Sequence, residues 1–200
     1  METESAGHPQ ITTASWVRTT TIGWFLGFFV MLVLIFIWEA ILGPGQTMVG
    51  VGMGAGVGFW QSRLLKRVLD RPLRWAWATV VGMGAPFAAW DVSAALGREA
   101  IFSNMLPICV VLGGLLVAVW QWRLLRPLSQ RAGWWILACT IGWAIPSLFI
   151  ALGNPEAVPA PWGELLSLTG MFLGGILLGA TTAKPLVWIL GERQGVGSRE

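Results

Sequence analysis

Short polar or turn-rich segments divide the chain into six long apolar runs, and no other feature restricts the fold as much. The runs extend from about Thr19 to Leu42, Met48 to Leu65, Trp75 to Ala95, Asn104 to Leu125, Gly133 to Leu152 and Gly163 to Leu190. A helix of ~20 apolar residues is long enough to cross the hydrocarbon core of a bilayer. In that medium only helices and closed barrels satisfy every backbone polar group. Barrel strands of ~10 alternating residues do not fit runs of this length. Composition agrees, with 55% hydrophobic and only 12% charged residues, against ~25% charged in soluble domains. A chain this short cannot hide so much apolar surface in an aqueous core. The expected fold is an all-α integral membrane protein with six transmembrane helices. Residues 1–15 read as a disordered tail, 16–190 as the transmembrane domain and 191–200 as a second tail.

The charges predict an orientation. Twelve of the thirteen Lys and Arg residues fall on one side of the alternating runs, and Arg98 stands alone on the other. The densest loop carries Arg63, Lys66, Arg67, Arg71 and Arg74. Cytoplasmic loops carry excess Lys and Arg, so both termini are expected in the cytoplasm. The acids Glu39, Asp91, Glu99, Glu156 and Glu164 lie toward the opposite side. Most tryptophans stand near run ends, where an interfacial belt is expected. Among them are Trp16, Trp75 and Trp135, with Trp24 and Trp143 reading as deeper. The preference for Arg over Lys points to a bacterial plasma membrane.

A repeat underlies the runs. Trp60-Gln61-Ser62-Arg63-Leu64-Leu65 returns sixty residues later as Trp120-Gln121-Trp122-Arg123-Leu124-Leu125. Trp16, Trp75 and Trp135 each stand seven residues before Gly23, Gly82 and Gly142, and Gly27, Pro86 and Pro146 follow four residues after. Thr21-Ile22-Gly23-Trp24 recurs as Thr140-Ile141-Gly142-Trp143. A fixed long period is an architectural signature. The expected plan is three two-helix hairpins of about 60 residues, near 16–74, 75–132 and 133–190. Copies containing two spans share one orientation, so the repeats are parallel. At the place of Trp-Gln the sixth run has Ala180-Thr181, which reads as loss of the motif in the third copy. Three hairpins resemble mitochondrial carriers in outline only. Their Pro-x-acid-x-x-basic signature is absent and the repeat is much shorter, so no family follows.

The second run alternates Gly50, Gly52, Gly54, Gly56 and Gly58. On a helix these clear two opposite sides. Small residues let helix backbones approach closely in lipid, so this helix is expected between two others. Gln61 and Gln121 lie at about the depth of Thr20, Thr79 and Thr140 and are expected to couple helices by hydrogen bonds of ~1 kcal/mol. Pro86 and Pro146 are expected to bend their helices. Acids within a membrane often mark ion paths, which makes Asp91 and, more weakly, Glu39 the candidates for one.

No catalytic pattern is present. The only histidine, His8, lies in the N-terminal tail, and Cys109 and Cys139 sit apart in apolar runs. No catalytic residue, metal site or cofactor is expected. The net charge of +3 gathers at helix ends, which does not suit nucleic acid. The expected function is a structural or accessory membrane subunit without catalysis. Its partners would be the lipid bilayer, other membrane subunits or second copies of the chain. The alternative is a small transporter or channel between the bent odd-numbered helices.

Overall fold

The computed structural model describes residues 11–97, 105–154 and 157–196, with side chains as far as Gly191. Among the described residues there are six α-helices: α1 Thr13–Leu42, α2 Thr47–Leu65, α3 Pro72–Ala95, α4 Met105–Leu125, α5 Trp134–Leu152 and α6 Trp162–Val196. A 3-10 turn, Gln130–Gly133, leads into α5. No strand occurs among the described residues. By length and composition α1, α4, α5 with its leading turn, and α6 are apolar enough to cross a membrane. This makes the chain a membrane protein of at least these four helices. Five glycines dilute the apolar character of α2, and Arg74 and Asp91 interrupt that of α3.

Local chemistry moves several boundaries. The helix expected from Thr19 begins at Thr13. Thr12 Oγ1 accepts from the Ser15 amide at 3.1 Å, and Ser15 Oγ accepts from the Thr12 amide at 3.0 Å. Two otherwise unpaired donors are thereby satisfied. The tail read over 1–15 is therefore shorter, and residues 1–10 lie outside those described. At α3, Pro72 occupies the first turn, where its missing N–H leaves nothing unpaired. At the other end of the chain, α6 continues through Pro185 to Val196, so 191–200 is not a tail throughout.

Each helix packs on its neighbours in the chain, and α6 returns to pack on α1, closing a ring of six. Trp16 meets Thr182, Trp75 meets Gln61 and Trp135 meets Gln121. The starts of α1, α3 and α5 therefore gather with the late parts of α2, α4 and α6 at one end. Successive helices run in opposite directions. This end carries the arginine-rich connections and is called the basic end below.

Close approach of α2 to both neighbours depends on its glycines. A Cβ on Gly56 would collide with the Gly27 backbone of α1, and one on Gly52 with that of Met31. On the other side, a Cβ on Gly54 would stand 2.7 Å from the Thr79 carbonyl of α3. Both cleared sides of α2 are thus used within the chain, and neither is left free for a partner.

Candidate functional site

At the basic end the axis of the ring is filled by three tryptophans. Trp16, Trp75 and Trp135 are 0%, 0% and 1% exposed. Their ring centroids stand 6.2, 6.0 and 5.3 Å apart, with two of the three pairs edge-to-face. Aromatic quadrupoles favour such geometry at these separations. The three are core residues, which corrects their expected place in an interfacial belt. The sequence held a usable signal: Trp16 and Gly23 lie seven residues apart and share one helix face. That face is cleared by glycine for packing, and the same holds for Trp75 with Gly82 and Trp135 with Gly142. Trp77 and Trp134, at other phases, are exposed.

Every indole N–H in the trio has an acceptor. Trp75 Nε1 donates to Gln61 Oε1 at 3.0 Å, while Gln61 Nε2 donates to Thr20 Oγ1 at 3.1 Å. Trp135 Nε1 donates to Gln121 Oε1 at 3.1 Å, while Gln121 Nε2 donates to Thr79 Oγ1 at 2.9 Å. Each glutamine thus ties its own helix to both flanking odd-numbered helices. The third joint is shorter: Trp16 Nε1 donates to Thr182 Oγ1 at 2.9 Å. Thr182 lies sixty-one residues after Gln121, and Leu186 lies sixty-one after Leu125. The α6 segment is displaced by one residue from the strict period. The polar position read as lost at Ala180-Thr181 is occupied by Thr182.

Thr140 departs from its expected coupling role. Its Oγ1 is buried without a hydrogen-bond partner. The position matching Thr20 and Thr79 is Cys139, whose thiol sits 3.9 Å from Gln121 Oε1. One residue of offset turns a side chain about 100° around the helix, which carries Thr140 away from the glutamine.

Beyond the tryptophans, toward the opposite end, the ring encloses a cavity of about 340 Å³. Each helix contributes to its wall, with Phe28, Met53, Met83, Val110, Pro146 and Met171 as one residue from each. Trp24 and Trp143 also line it, their ring centroids 5.8 Å apart, with Trp24 Nε1 donating to the Met171 carbonyl at 2.8 Å. Among the described lining residues Ser167 carries the one hydroxyl, and none is charged. Four methionines (Met31, Met53, Met83 and Met171) contribute to the wall, and flexible thioethers adapt to irregular space. They share no motif, and no sequence signal pointed to them.

The candidate pathway residues are not brought together. Pro146 lines the cavity, whereas Asp91, Glu39 and Pro86 do not. Glu39 is exposed near the end of α1. The Pro86 carbonyl accepts from Cys109 Sγ at 3.6 Å. Asp91 sits on the N-terminus of α2. Its Oδ1 accepts from the Gln46 amide at 2.8 Å, and its Oδ2 from the Thr47 amide at 2.7 Å and the Thr47 hydroxyl at 2.5 Å. Gln46 itself supplies no side-chain cap. A carboxylate there satisfies free amides and complements the helix dipole, so Asp91 clamps α3 to α2.

Cys109 and Cys139 are both free and buried. Among the described residues no three His, Cys, Asp or Glu side chains gather as metal ligands. No protein-family model, curated protein or solved structure matches this chain.

Proposed function

We propose that the chain is a six-span membrane protein, built as three parallel two-helix hairpins about a common axis, that serves as a structural or accessory subunit without catalysis. The observation that carries this reading is the filled axis. Three buried tryptophans in mutual contact, each with its N–H paired, support an axis closed at the basic end. The matched Trp–Gln–Thr bonds at two joints support the hairpin repeat. The closed ring supports six spans, since α2 and α3 lie between two apolar helices and run alongside them. With 19 and 24 residues, they reach ~28 and ~36 Å at 1.5 Å per residue. The positive-inside rule supports a cytoplasmic basic end, and the preference for Arg over Lys supports a bacterial cell. The half of α1 bearing Phe29, Leu32, Val33, Phe36 and Ile37 is widely exposed and is the face offered to lipid or to a partner helix.

Three measurements test this. An alkaline phosphatase fusion after Glu156 is expected to be active outside the cytoplasm; an inactive fusion overturns the topology. Liposomes containing the protein are expected to conduct no more current than empty ones, and a sustained conductance overturns the accessory reading. Mild-detergent extraction with cross-linking through Phe36→Cys is expected to trap a complex; a product that is only monomer counts against a partner.

The cavity favours a second reading, a transporter of a small apolar solute. It requires the tryptophan trio to part, so solute efflux that is lost on cross-linking α1 to α3 near Trp16 is its signature.

A further inference from the structure

Two recesses meet at the basic end where α3 lies beside α4. The first, about 310 Å³, is lined by Arg71, Arg74 and Arg123 together with Asp70, Leu69 and Leu128. The second, about 340 Å³, is an apolar groove lined by Trp77, Ala78, Val81 and Trp120. They are continuous, because Arg74, Arg123 and Leu124 line both. Arg74, Trp77, Ala78 and Val81 follow one another at helical spacing on one face of α3. The groove therefore runs ~10 Å along the helix away from the arginines.

We infer that this paired recess binds an anionic phospholipid, its phosphate among the arginines and an acyl chain in the groove. The inference rests on the membrane-spanning reading above. Three guanidinium groups and one carboxylate leave the first recess positively charged. A planar guanidinium fork matches phosphate oxygens in a bidentate manner. Three other arginines of this end are already engaged: Arg63 lies 5.4 Å from the Trp60 ring, Arg126 lies 5.7 Å from Trp122 and Arg131 lies 4.4 Å from Trp188. Arg71, Arg74 and Arg123 have no such ring and, among the described residues, no ion pair. Trp77 and Trp120 are exposed beside them, at the level where indoles sit against headgroups. A zwitterionic choline lipid brings its own cation toward the arginines and fits the recess less well. A free phosphate leaves the groove empty.

The test is native mass spectrometry of the delipidated full chain, titrated with phosphatidylglycerol or phosphatidylcholine. Phosphatidylglycerol is expected to bind at least tenfold more tightly than phosphatidylcholine. The Arg74→Gln/Arg123→Gln variant is expected to lose that tenfold preference. Arg18→Gln/Lys66→Gln, which removes the same charge elsewhere at this end, is expected to keep it. Val81→Trp fills the groove with every arginine intact and is expected to weaken phosphatidylglycerol several-fold. Equal binding by the first variant and the wild type overturns the site, as does equal loss in the charge control. Displacement by glycerol phosphate at lipid-like concentrations overturns the acyl-chain half. A channel current in liposomes would overturn the accessory reading and leave this titration unaffected.

Discussion

The two ends of the ring are built on different principles. At the basic end, large rigid rings fill the axis and each polar atom of the trio has a partner. Toward the opposite end, the same helices surround a cavity whose walls include thioethers, and the polar contacts there, Asp91 on α2, Trp24 on α6 and Ser147 on α4, each join a single helix pair. Equivalent positions sharpen the contrast. Trp16, Trp75 and Trp135 are one residue type three times, whereas Trp24, Met83 and Trp143, eight residues further on, are not. Uniform side chains meeting on an axis close it, and unlike ones leave space. The difference teaches that the ring is held at one end and left adaptable at the other.

The largest test of that contrast is Trp75→Ala. It removes a fully buried ring, two ring contacts and the donor to Gln61. The expected loss is about 3–5 kcal/mol, measured by steric trapping or thermal unfolding in detergent. Trp143→Ala should cost less, since its ring already borders open space. Equal costs would erase the distinction. Gly56→Ala comes next, at about 1–3 kcal/mol, because the new methyl meets the Gly27 backbone. Gly113→Ala first meets the movable Met83 Sδ at 3.0 Å, with the Met83 Cα at 3.1 Å, and should be milder. Gln121→Leu unpairs the Trp135 N–H and removes the donor to Thr79 Oγ1, with an expected loss of about 1–2 kcal/mol in the same assay. Asp91→Ala should cost about 1 kcal/mol as a lost cap and leave liposome flux unaltered; a flux that appears or vanishes would make Asp91 a pathway residue. The smallest effect is expected at Thr140→Val. It removes a buried hydroxyl without a partner and should be neutral or stabilising by up to about 1 kcal/mol.

Much of the architecture was legible in the residues. The five alternating glycines of α2 foretold a helix between two neighbours, since a residue without a side chain serves close approach wherever it falls. The spacing of Gln61 and Gln121 from Thr20 and Thr79 foretold a polar level. Legibility failed where one residue of offset decides the outcome. Thr140 and Cys139 differ by one position, and so do Thr181 and Thr182. Each such step turns the side chain about 100°, enough to lose a partner on another helix: Thr181 bonds only carbonyls of its own helix, and Thr140 has no partner. Asp91 read as a membrane acid, because nothing in the sequence says that the start of α2 lies within reach of the end of α3.

The sequence alone determined that the chain forms long apolar helices, that arginine collects at one side, and that a sixty-residue pattern recurs. It did so because hydropathy, charge and period are properties of single segments. Only the tertiary structure decided which way each helix is turned. In water, an amphipathic helix announces its buried face by a contrast between apolar and polar sides. In lipid both sides are apolar and packing replaces the hydrophobic effect as the arbiter. The inward turn of Trp16, Trp75 and Trp135, the bond to Thr182, and the meeting of Arg74 with Arg123 were therefore decided by how six helices fit together.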